Sequence, residues 1–221
     1  MPIDLGKKSG AISLAKNERV TIDNKGKITA TVAFSSATDY DVYAVVRAKD
    51  GSERVCSTFG SDAQPTPTDV VGGIRHLGDV TRGGSSDIAT ETLEIVMEDW
   101  IDQIAIVAYS AQSNGTGSFR RYQVTTSVDN GAGTTVTVAA DQANDNDQVY
   151  SVVPAIIHNR PDGVAIDRVE MYSRPGSENR PTYLVPGTPV KKGLFGKAQP
   201  VAAVPGDGTL VMDTGSKNKY K

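Results

Sequence analysis

The chain has 221 residues, 38% hydrophobic and 22% charged, with 22 glycines, 11 prolines and one cysteine, Cys56. That length supports one large or two small domains with a core, and the composition excludes collagen, a coiled coil, a wholly disordered chain, an intramolecular disulfide and every Cys-rich zinc site. The net charge of −3 hides a balance of −8 over residues 1–173 and +5 over 174–221, which argues against nucleic acid as the main partner.

Met1 to Lys8 carry charge with no apolar stretch behind them, and no run of 18 apolar residues occurs. Neither a standard export signal nor a membrane span is therefore expected. The first clear strand covers residues 28–34, where Ile28, Ala30, Val32 and Phe34 share one face at period two. Comparable runs follow at 42–48, 92–97, 103–109, 119–128, 134–139, 149–157 and 164–172, most of them rich in β-branched residues. So many short strands predict an all-β sandwich or barrel. Tight turns are expected at 49–52, 114–117 and 159–163, and one helical turn near 98–101. Residues 60–90 read as a long loop within the domain, a feature that is usually functional. From about 174 onward the chain is Pro- and Gly-rich and ends in Ser-Lys-Asn-Lys-Tyr-Lys, so it reads as an extended basic arm following a 1–173 domain.

Motifs for catalysis are weak. Gly193 to Lys197 lacks the spacing and the Ser/Thr of a phosphate loop, and no Gly-x-Ser-x-Gly elbow occurs. His76 and His158 read as surface or capping residues, and Asp141 to Asp147 lacks the Gly and distal Glu of an EF-hand loop. Asn114-Gly115-Thr116 is read as a chance sequon. Acidic loop ends carry more signal: Asp39-Tyr40-Asp41 enters a strand, Gly78-Asp79 lies in the long loop, and Asp87 to Glu91 form its exit. Hard carboxylate oxygens on bendable Gly-rich loops suit calcium, which takes six to eight oxygens.

Leu5-Gly6-Lys7-Lys8-Ser9-Gly10-Ala11-Ile12-Ser13-Leu14 resembles the opening of the TerD family of tellurium-resistance and stress proteins. So does Asp39-Tyr40-Asp41 followed by an apolar strand and Lys49-Asp50-Gly51. Arg75-His76-Leu77-Gly78-Asp79, with a Gly-rich loop and an acidic exit, is similar to the family's His-x-Gly-Asp-Asn loop. The resemblance covers roughly residues 5–173. It implies a two-sheet β-sandwich without enzymatic activity that holds calcium between the two loops, with Asp39, Asp41, Asp79, Asp87 and Glu91 as ligands. Val80 stands where the family has Asn, so one side-chain oxygen is lost.

Two functions follow as expectations. One is a cytoplasmic, calcium-binding, TerD-like stress protein. The other is a structural subunit of a virion, phage tail or filament, a homo-oligomer in which the arm lies across the acidic body of a neighbouring copy. In the second, Tyr183, Leu184, Leu210 and Met212 are among the apolar anchors, and deleting the arm leaves a soluble monomer.

Overall fold

Alternating apolar residues and high β-branched content produce strands throughout, and all regular secondary structure among the described residues is β. The computed structural model describes residues 2–59, 68–79, 87–110, 118–142, 146–184, 189–190, 199–200 and 209–215. In chain order the strands are β1 (Ile3–Lys7), β2 (Gly10–Ser13), β3 (Glu18–Ile22), β4 (Lys27–Ser35), β5 (Asp41–Ala48), β6 (Glu53–Cys56), β7 (Val70–Val71), β8 (Ile74–His76) and β9 (Ile88–Val96). There follow β10 (Ile101–Tyr109), β11 (Thr125–Asp129), β12 (Thr134–Ala139), β13 (Ser151–Arg160), β14 (Gly163–Tyr172), β15 (Arg180–Leu184), β16 (Pro189–Val190), β17 (Gln199–Pro200) and β18 (Thr209–Gly215).

Two seven-stranded sheets result. Sheet one runs β1-β3-β14-β13-β10-β5-β6 and sheet two β2-β12-β11-β4-β9-β8-β7. β1 and β2 each add a parallel edge, β1 to sheet one and β2 to sheet two. The sheets pack face to face as a sandwich. Ile28, Val32 and Phe34 of β4 and Leu93 of β9 meet Val42 and Val46 of β5, Ile104 of β10 and Ile166 of β14 in one core.

Sheet two keeps a strict period of two, and β4 alternates buried and accessible residues over its whole length. Its outer side is wet and rich in hydroxyls: Ser13, Thr137, Ser127, Thr31 and Thr92 stand level across five strands.

Sheet one is different. β5, β10 and β13 are buried almost without interruption, so the centre of this sheet is largely apolar on both faces. Its outer face forms a second core around Tyr43, Val45, Val107, Tyr109 and Ile156, and Tyr183 of β15 and Leu210 of β18 belong to it. These two strands pair antiparallel as a ribbon. Strands β15 and β18 of the arm thus fold back on their own body, and Tyr183 and Leu210 are buried within the chain itself.

Several local expectations change. Residues 98–101 make a turn closed by the Ile101 amide on the Glu98 carbonyl, with no helix. Phe119 to Gln123 are turn, and β11 starts only at Thr125. The long 60–90 loop contains β7, β8 and the start of β9, while 60–67, 80–86 and the 114–117 turn lie outside the described residues. The other two turns form as expected. Gly51 takes φ +84° between β5 and β6, where the Asp50 carboxylate accepts the Ser52 amide at 2.8 Å. Gly163 opens β14 at φ +147°, and a Cβ there would stand 2.3 Å from the Ile22 carbonyl oxygen, so only glycine lets β14 pair with β3.

Deleting residues 174–221 strips the cover from Tyr43, Tyr109 and Ile156. The truncated chain is expected to bind a hydrophobic dye several-fold more strongly than the full chain and to self-associate in light scattering. A monomeric, dye-silent truncation as stable as the full chain contradicts this packing.

Candidate functional site

The Asp39-Tyr40-Asp41 entrance is anchored by its middle residue. Tyr40 is fully buried, stacked on Phe119 with centroids 5.1 Å apart and edge-on to Phe34 at 5.2 Å. Alternation then turns Asp39 and Asp41 away from that cluster, and both are half-buried. Asp41 begins β5 opposite Tyr109 of β10.

The same alternation sends Glu91 inward with Ala89 and Leu93. Its side chain is wholly buried, and Oε2 accepts the Val42 amide of the opposite sheet at 2.8 Å. His76 completes the tie. Its Nδ1 accepts the Gly78 amide at 3.1 Å, which places the ring proton on Nε2. Nε2 donates to the Val42 carbonyl at 2.9 Å and lies 3.4 Å from Glu91 Oε2. Val42, Glu91, His76 and Gly78 therefore form one hydrogen-bonded chain across the sandwich. It joins the Asp41 strand end to the Gly78-Asp79 segment.

Asp79 and Asp87 are exposed and flank residues 80–86, a segment outside the described residues that includes Val80. Asp87 is held by its backbone, whose carbonyl accepts the Ser36 amide at 3.0 Å. The structure thus brings residues 39–41, 76–79 and 87–91 to one end of the sandwich. Glu91 is the departure from the expected ligand set, because it is spent on the Val42 amide inside the core. Among the described residues no three His, Cys, Asp or Glu side chains stand close enough together to hold a metal ion.

Three polar features were not foreseen. His76 is a core residue; Ile74-Arg75-His76 read at period two already puts it on the face of Ile74. On the outer face of sheet one, Arg19 holds Asp167 in a bidentate pair, and His158 Nε2 stands 3.1 Å from Asp167 Oδ2. Burial alone pushes the Asp167 carboxyl up, but His158 and Arg19 outweigh it and leave the group below its ordinary range. Arg168, almost wholly buried, donates to the Leu14 carbonyl at 2.6 Å and to Glu170 Oε2 at 2.9 Å, closing the far end of β14. Elsewhere a groove of about 370 Å3 follows the β6–β7 seam, lined by Glu53, Arg54, Thr68, Val70 and Gly72. None of the expected ligand residues lines it. Beside it Cys56 is buried, its thiol donates to the Asp69 carbonyl at 3.3 Å, and burial pushes it up to about 11.

Glu91→Ala strands the buried Val42 amide and is expected to cost about 3 kcal/mol in urea unfolding, whereas Glu91→Gln keeps an acceptor oxygen and costs about 1. Equal losses contradict the tie. Because folding lowers the Asp167 carboxyl, its contribution is complete above the unfolded value, near pH 3.9, and fades as pH falls through the folded value. The stability gap between wild type and Asp167→Asn should accordingly shrink as pH falls below about 4. A gap that widens below about pH 4 reverses the sign and rejects the assignment.

No protein-family model matches this chain, and no curated protein matches it. Among solved structures it is similar to one titled as the crystal structure of unknown function protein SAV2460, with 10% identity and a TM-score of 0.48 over 67% of this chain and 89% of that one.

Proposed function

We propose that this chain is a non-enzymatic, TerD-like β-sandwich protein that takes calcium at the loop end built from Asp39, Asp41, Asp79 and Asp87, in a stress or tellurium-resistance setting. One observation carries the reading. The hydrogen-bonded chain from Val42 through Glu91 and His76 to Gly78 draws the Asp-x-Asp strand entrance and the Gly-Asp segment to the same end. Glu91 acts in this reading as the scaffold of the site, and its buried position leaves the aspartates to supply the oxygens. With Val80 in place of a polar side chain, backbone carbonyls and water fill the remaining positions that calcium requires.

A second reading, a structural subunit of a virion, tail or filament, is supported by the apolar outer face of sheet one and by the ribbon that seals it. Negative-stain images separate the two, since ordered polymers without added calcium favour the subunit.

For the first reading, chelator-treated protein is melted with and without millimolar calcium. At 100 times Kd, binding adds about 2.7 kcal/mol, expected as a rise of roughly 5–10 °C for a chain of this size. Asp41→Asn and Asp79→Asn should each abolish the rise while leaving the calcium-free melting point within a few degrees of wild type. No shift and no heat of binding for the wild-type protein reject the site.

A further inference from the structure

The ribbon is fastened to sheet one by a cation in an aromatic box. Arg180 opens β15 and is fully buried, although an arginine of a terminal arm ordinarily lies in water. Its guanidinium carbon lies 3.3 Å from the centroid of the Tyr109 ring, 5.6 Å from Tyr43 and 5.7 Å from Phe59. Tyr43 and Phe59 stand edge to face at 5.5 Å and make two walls of the box. At the rim, Tyr109 donates its hydroxyl proton to Glu178 Oε1 at 3.1 Å. Such a desolvated, multiply stacked guanidinium is a recognition geometry.

How the ribbon is joined to the body matters as much. Among the described residues it pairs only with itself: β15 and β18 form a separate two-stranded sheet with no ladder to sheet one. Two-stranded ribbons are marginal alone, so this one depends on the surface beneath it. Besides Arg180 and the apolar contacts, that surface holds it through the Tyr183 amide on Glu53 Oε2 at 2.7 Å, the Glu178 contact, and the Gly176 amide on the Gln148 carbonyl at 2.8 Å. The ribbon is also internally tied at its root. Arg174 donates its amide to Asp213 Oδ2 of β18 at 2.9 Å, whereas Ser173 stays with the body, its hydroxyl accepting the amides of Tyr150 and Ser151 at 3.1 Å. Between Ser173, bonded to the body, and Arg174, bonded to β18, the chain passes from body to ribbon.

We propose that the Tyr43–Phe59–Tyr109 box is an exchange site for arginine, which the chain's own Arg180 fills within one molecule and the Arg180 of a second copy fills between molecules. Among the described residues, the contacts named above that seat the ribbon are made by side chains or single backbone groups, so a neighbour's ribbon can reproduce them while the path of the chain changes after Ser173. Sheet one has to be covered in either state, which makes the opened form a transient that either recloses on its own ribbon or takes that of a second copy. A charge of +5 over the whole arm, 174–221, against −8 for residues 1–173 steers the encounter. This inference rests on the assembly reading of the arm and is independent of calcium.

Full-length Arg180→Ala, with an intact box, is mixed with full-length Tyr109→Ala, with an intact ribbon. Only a mixed dimer contains one native docking, so native mass spectrometry should show it in about tenfold excess over either variant's own dimer, the factor a desolvated cation–π contact supports. In parallel, wild-type chains, half of them 15N-labelled, are incubated, cross-linked and digested. Ribbon-to-body cross-links of mixed isotopic parentage are expected whether or not the variants fold. The proposal is overturned if every such link joins a single chain and the wild type remains monomeric up to millimolar concentration. Mixed dimers without any larger particle uphold the exchange while failing the virion or filament reading.

Discussion

Sheet one carries apolar side chains on both faces, so it cannot present either to water, and the rest of the architecture follows from covering it twice. Sheet two covers the inner face and can afford a solvated outer side of its own, because its strands alternate. The outer face of sheet one is left to the C-terminal ribbon, whose Tyr183 and Leu210 join that core. Burying a large apolar side chain stabilises by roughly 1.5–3 kcal/mol. A handful of such residues can therefore order a segment whose composition alone would leave it loose.

Apolar faces slide over one another with little penalty, and the polar groups inside this sandwich remove that freedom. The Glu91 carboxylate reaches across to one backbone amide and His76 to the carbonyl of the same residue, so Val42 is fixed from both sides. A shift of β5 by one residue leaves a buried carboxylate and a buried imidazole without partners, a loss of several kcal/mol. Arg19 of β3 with Asp167 acts in the same way on β14 near its middle, and Arg168, through the Leu14 carbonyl, near its end. These groups sit where strand register is decided.

Much of this was legible. Period-two runs located β4, β5, β9, β10, β12, β13 and β14, and Gly163 marked the turn between the last two. Short strands such as β6 and β8 escaped because three or four residues hold too little pattern to stand out from loop. His76 and Glu91 were misread, the first as a surface or capping residue and the second as a calcium ligand, although the alternation Ala89, Glu91, Leu93 points the carboxylate inward. The docking of the tail left a subtler trace. Val42 to Val46 and Val149 to Ile157 are nearly continuous apolar runs, the signature of strands buried on both faces, and a second cover had to come from elsewhere in the chain. Which segment supplies it depends on tertiary contacts that no local pattern encodes.

The buried thiol beside the β6–β7 seam has a practical consequence. Cys56 is the protein's one cysteine, and its environment suppresses the thiolate that alkylating reagents and disulfides attack. In the closed molecule burial shields it from such reagents. Reaction occurs only while β6 parts from its neighbours, which makes the labelling rate of the native protein a direct clock for breathing at the edge where the two sheets meet.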